Sequence, residues 1–117
     1  MRTNQLGKDL IKAFTAEYDP IESRTMAEKA VNLFVLRRLT NNQFSALVCL
    51  VMSIGIDTFR DSKMLKLLNT RSTDSDRRAA LWFGEYIYED NGKADRFLIK
   101  QREFEKDLFT TPEIVKS

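Results

Sequence analysis

One segment constrains this chain more than any other: residues 39–69, LTNNQFSALVCLVMSIGIDTFRDSKMLKLLN. Thr40 stands three residues ahead of Gln43, so its hydroxyl can accept from the Gln43 backbone N–H while the Gln43 side chain reaches back, a capping box placed just before an apolar run. Phe44, Ala46, Leu47, Val48, Leu50, Val51 and Ile54 then cover most of a helix circumference. A helix apolar nearly all round belongs at the centre of a core. Gly55 marks its end, and Ile56 to Asp61 read as a short connection before Met64, Leu65, Leu67 and Leu68 supply a second apolar face over about Asp61 to Asn69.

The rest of the chain reads as helices arranged around that centre. A first helix is predicted from about Asn4 to Glu17, with Leu6, Leu10, Ile11 and Phe14 on one face and Glu17, Tyr18, Asp19 and Pro20 forming its end and turn. A second, from Ser23 or Thr25 to Arg38, presents Met26, Ala30, Val31, Phe34 and Val35 inward, with Arg37 and Arg38 suited to a helix C-terminus. Another runs from about Asp74 to Tyr88 and carries Trp82, Phe83, Tyr86 and Ile87. The last spans about Ala94 to Phe109, with Phe97, Leu98, Phe104, Leu108 and Phe109 apolar, and Pro112 limits its extension. The expected fold is therefore all-α, a compact bundle of five or six helices in one domain over residues 1–117, with little or no β-sheet. At 117 residues and 43% hydrophobic content the chain can fill one core.

Composition excludes more than it assigns. With no histidine and a single cysteine, histidine-dependent triads are absent and a nitrogen–sulfur zinc site is not expected, and no acidic loop has calcium-binding spacing. No metal or other cofactor is expected. The +2 net charge comes from 19 basic and 17 acidic residues spread along the chain, which argues against a nucleic-acid partner or an anionic membrane surface. Cys49 falls in the middle of the apolar helix and reads as a small buried hydrophobe. The N-terminus MRTNQLGKDL has no apolar signal core, and the expected location is the cytoplasm of the cell that makes the protein.

Leu6 to Phe14, LGKDLIKAF, together with AEKAVN, the segment 39–69 and NGKADRFLIKQREFEKDLF near the end, resembles the phage-type lysozymes, the muramidases that act as endolysins. The resemblance implies the helical C-terminal lobe of that family. It also implies a catalytic glutamate directly after the phenylalanine of the first helix, but here Thr15 follows Phe14. The family then continues into a glycine-rich β lobe carrying the second acid, whereas here only Ala16 to Arg24 stands before the returning helix, with no glycine or tight-turn dipeptide. Ser53 stands where the family commonly has asparagine in an N-x-G helix end. Phe97 replaces a frequent glycine, and only Lys100 and Arg102 remain of a basic run, broken by Gln101.

A glycosidase needs two groups held across the scissile bond from each other, which one lobe does not provide. No catalytic residue is therefore assigned. The expected function is that of a catalytically inactive lysozyme-like protein that binds another macromolecule, a protein partner or a second copy of itself, with an intracellular inhibitor or regulator as one form. The alternatives are a minimal muramidase using Glu17 with Asp19 or an acid elsewhere, or a peptidoglycan-binding remnant. The candidate partner-binding residues are Thr15, Glu17, Tyr18, Asp19, Tyr86 and Tyr88. Tyr86 and Tyr88 project about 200° apart on a helix, so one of them is expected to face solvent.

Overall fold

The computed structural model describes residues 1–14, 21–70, 72, 74–88 and 91–112. Among these the chain forms α1 (Gln5–Phe14), α2 (Ile21–Phe34), α3 (Asn41–Ile54), α4 (Ile56–Arg60), α5 (Lys63–Leu68), α6 (Ser75–Leu81), a 3-10 turn (Trp82–Glu85) and α7 (Arg96–Thr110). The described residues contain no strand, only one isolated antiparallel bridge between Tyr88 and Ala94. The architecture is all-α, as the sequence predicts.

α3 is the axis of the molecule. Thr40 accepts from the Gln43 N–H and Gln43 returns a bond to the Thr40 N–H, both at 3.0 Å, so the capping box forms in full. Every residue from Asn42 to Val51 is buried, and α1, α2 and α7 pack around the helix. Phe44, Leu47, Val48 and Leu50 are completely enclosed, each contributing about 1.5–3 kcal/mol by leaving water. Gly55 ends α3 at φ +92°, a conformation that favours glycine.

Four sequence expectations are corrected by the packing. The interval after Gly55 is not a bare connection: Ile56–Arg60 winds one further helical turn and sinks Phe59 into the core. α2 stops at Phe34 rather than Arg38, because Asn69 accepts from the Leu36 N–H and donates to the Phe34 carbonyl, satisfying the helix end from another element. Arg37 therefore lies beyond the helix and pairs with Asp76, which also accepts from Gln43 at 3.2 Å. Finally, the helix predicted to Tyr88 tightens into a 3-10 turn at Trp82, with Gly84 inside that turn, where it weakens α-helical continuation.

Several predicted inward faces are rotated. In α1, Gly7 and Ile11 are buried and Leu6 is exposed, because Gly7 lets the backbone approach α3 closely: a Cβ there would lie 2.5 Å from the Ser45 Cβ. Met26, Phe97 and Phe104 are exposed instead of internal, and Trp82 is only partly buried, whereas Phe83 is fully enclosed and packs on Phe109 at 5.6 Å.

Candidate functional site

The surface is concave at both ends of α3: a 470 Å³ cleft at its start is lined by Thr40, Gln43, Ala80, Leu81 and Phe109, and the C-terminal end is the more deeply grooved. Three clefts meet around it. The middle one, 240 Å³, lies between α1, α3 and α7 and is lined by Ile11, Phe14, Ser23, Cys49, Met52, Ser53, Phe97, Leu98 and Gln101. It shares Ser23 and Met52 with a 530 Å³ cleft that extends past Met26 to Gly55 and Asp57. On the other side it shares Ser53 and Leu98 with a 570 Å³ cleft bounded by Thr58, Glu85, Tyr86, Tyr88 and Arg102. Phe14 stands at the rim, edge-on to Phe97 at 5.2 Å and 6.0 Å from Phe104.

Beneath these clefts lies a buried charged network that the sequence did not announce. Arg102 and Glu105, spaced three residues apart on the inner face of α7, are 2% and 0% exposed and bond at 2.6 Å. Arg102 also donates to the Tyr86 carbonyl at 3.0 Å and to the Ser53 hydroxyl, so one guanidinium ties α7 to both the end of α3 and the segment after the 3-10 turn. Gln101 donates to Glu105 at 3.1 Å and lies 4.0 Å from the Cys49 sulfur. Burial pushes the Glu105 carboxyl above its ordinary range, with Arg102 opposing the shift. Burial also drives the Cys49 thiol well above its ordinary value, and the neighbouring Glu105 charge adds to it. Cys49 is thus a buried thiol held in its neutral form, and Arg102, which by sequence belongs to what remains of a basic run, is a structural cation.

Glu105 is the one buried carboxylate among the described residues, and its bonds to Arg102 and Gln101 hold it in the interior. The described lining of the middle cleft contains no carboxylate. Asp57, at the edge of the adjoining cleft, is largely exposed and paired with Arg60 at 3.1 Å, and Glu85 is exposed. Neither has the desolvated setting that makes a carboxyl group a proton donor near neutral pH.

Of the sequence-predicted contact residues, Tyr86 and Tyr88 are brought together on one cleft wall, Tyr86 partly buried and Tyr88 exposed. Thr15, Glu17, Tyr18 and Asp19 lie outside the described residues. Those four belong to the six-residue interval 15–20, which is all that separates α1 from α2. No group of histidine, cysteine, aspartate and glutamate among the described residues is arranged to hold a metal ion, and no described helix is long and apolar enough to cross a membrane.

A helical lobe with a central capped helix, and a groove where the first and last helices meet its end, is the architecture of lysozyme-like proteins. The chain belongs to the phage lysozyme family, whose model matches residues 6–105. Among curated proteins, none matches the sequence. Among solved structures, the muramidase domain of SpmX from Asticaccaulis excentricus is similar at a TM-score of 0.82 and 26% identity, over 96% of this chain and 99% of that one. The endolysin from Escherichia coli O157:H7 phage FAHEc1 superposes at 0.82 with 20% identity, covering 99% of this chain and 98% of that one. The active form of the P1 phage endolysin Lyz superposes at 0.76 with 17% identity, over 93% and 85% respectively, and these last two show the shared fold.

Proposed function

We propose that this member of the lysozyme family binds a macromolecule at the end of α3 without cleaving glycosidic bonds. The observation that carries the reading is the short α1–α2 interval. Six residues, beginning with Thr15 where the family has its glutamate, are too few for a lobe of several strands bearing a second acid. A described cleft lining free of carboxylates supports the same conclusion. What remains is a groove with aromatic edges at Phe14 and Phe97, neutral polar groups at Ser53 and Gln101, and tyrosines at its far wall. Such a surface suits binding, because aromatic side chains combine large contact area with little loss of conformational freedom. A protein partner is the leading occupant. The exposed Tyr88 beside Glu85 supplies an anchor with a hydrogen-bonding tip.

A second reading, peptidoglycan recognition with or without hydrolysis, is favoured by the family match and by the muramidase domain at 26% identity. In its hydrolytic form the acids are Glu17 and Asp19. Two assays on the purified protein separate the readings. Release of soluble fragments from labelled peptidoglycan is expected to stay at background, and release that disappears in Glu17→Gln would overturn the proposal. Co-sedimentation with purified cell walls, without fragment release, would replace the protein partner with the glycan.

A further inference from the structure

The exposed face of α7 carries an order of charges that makes little sense within one molecule. Arg96 and Lys100 occupy its first half, Glu103 and Asp107 its second, and all four are exposed. At 100° per residue they share a sector of about 60°, with Phe97 and Phe104 along one flank. Both phenylalanines are large apolar groups left in solvent, at 54% and 48% exposure. Within the helix, Arg96 and Lys100 are like charges four residues apart, as are Glu103 and Asp107, and each such pair disfavours the helix, with only Lys100 and Glu103, three residues apart, offsetting them. The order also opposes the macrodipole: the cations sit toward the positive N-terminus and the anions toward the negative C-terminus, with no acidic residue in the first turn and no basic one in the last. None of the four forms an ion pair within the described residues.

A second α7 running antiparallel across a two-fold axis resolves each of these conflicts. Reversing the helix sets Arg96 opposite Asp107 and Lys100 opposite Glu103, twice over, brings Phe97 beside Phe104 of the other copy, and aligns the two macrodipoles head to tail. We infer that the exposed face of α7 is an antiparallel homodimer interface, with a second copy of this chain as its occupant. The charge order commits the surface to self-association, because an unrelated partner has no need of a pattern that is its own complement under a half-turn. Phe97 edges both this surface and the central cleft, but Arg96, Lys100, Glu103 and Asp107 do not line the cleft, so changes to those four charges test this inference apart from the binding role of the cleft.

The test is sedimentation of the purified protein across a concentration series. Wild type is expected to move from 13.6 kDa toward twice that mass in the micromolar range, with association weakening as salt rises. Arg96→Glu/Lys100→Glu and Glu103→Lys/Asp107→Lys are each expected to weaken association at least about tenfold, since four attractions become repulsions. An equimolar mixture of the two variants is expected to associate again. Circular dichroism checks that each variant stays folded, since each sets four like charges on one face of α7, and the mixed pair, which restores every attraction across the axis, keeps the test decisive. A wild type that stays monomeric throughout, charge reversals that leave association unchanged, or a mixture that fails to pair would each overturn the inference.

Discussion

The two ends of α3 are held in opposite ways. At its start the polar contacts are mostly neutral: the Thr40 and Gln43 capping box, Ser45 accepting from the Asn4 N–H at 2.9 Å, and Asn4 donating to Asn42 at 2.8 Å, with one charged partner, the half-exposed Asp76 that accepts from Gln43 and pairs with Arg37. At its finish the contacts are ionic and buried, with Arg102 and Glu105 enclosed beneath Ser53 and Cys49. Neutral bonds fasten one end to α1 at modest net value each, about 0.5–1.5 kcal/mol. The buried pair behaves differently, because removing either partner strands an uncompensated charge. The end that borders the clefts is thus the end most sensitive to single changes, and it holds the cleft wall at Ser53 and Tyr86 in register with α7.

The contrast can be broken from either side. The largest effect is expected from Arg102→Met, which leaves Glu105 buried without its cation and should cost about 3–5 kcal/mol in denaturant unfolding, while the paired change Arg102→Met/Glu105→Leu recovers most of that loss. A loss under 1 kcal/mol for the single variant would show that the pair is not enclosed as described. At the neutral end, Gly7→Ala forces a Cβ to 2.5 Å from the Ser45 Cβ and 2.7 Å from the Thr3 Cγ2, and thermal unfolding should report a loss of about 1–3 kcal/mol. Thr40→Ala removes only the cap and is expected to cost about 1 kcal/mol.

A pH series sharpens the comparison further. Glu105 has a folded-state pKa above its unfolded value, so its contribution to stability is fully present below the ordinary carboxylate range and lost as pH rises through the raised value. Relative to Glu105→Gln, wild type is expected to lose stability on that rise. A parallel pair of curves would remove Glu105 as the source. The smallest signal is chemical: the Cys49 thiol should resist alkylating reagents in the folded protein and react on unfolding, as a buried thiol pushed well above its normal range must.

Sequence made the first end of α3 legible because its grammar is local. Thr40 and Gln43 are three residues apart, and the apolar run that follows has only one stable location. The other end was opaque because its partners are distant: Ser53 meets Arg102 across 49 residues, and Cys49 meets Gln101 across 52. Gln101, Arg102 and Glu105 read as ordinary helix-surface residues until tertiary packing turns them inward. The end of α2 was misplaced for the same reason, since the side chain that stops it, Asn69, comes from beyond α5. Apolar periodicity located the helices but not their rotation, and it placed Phe97 and Phe104 in the core although α1 and α3 leave them outside. Of the residues the sequence singles out, Tyr86 and Tyr88 line one cleft wall, whereas nothing local in the sequence points to the cleft beside Phe14, which α1, α3 and α7 form only by packing together.

We infer that this helical lobe does not cut a glycan, whichever single acid is placed beside it. The most direct measurement is reducing-end release from purified glycan strands by wild type and by Thr15→Glu, which puts a glutamate directly after Phe14, where the resemblance implies one. Neither protein is expected to release reducing ends above background, because the described lining of the cleft offers no second acid. Turnover by wild type that Glu17→Gln abolishes, or turnover gained by Thr15→Glu, would contradict the account.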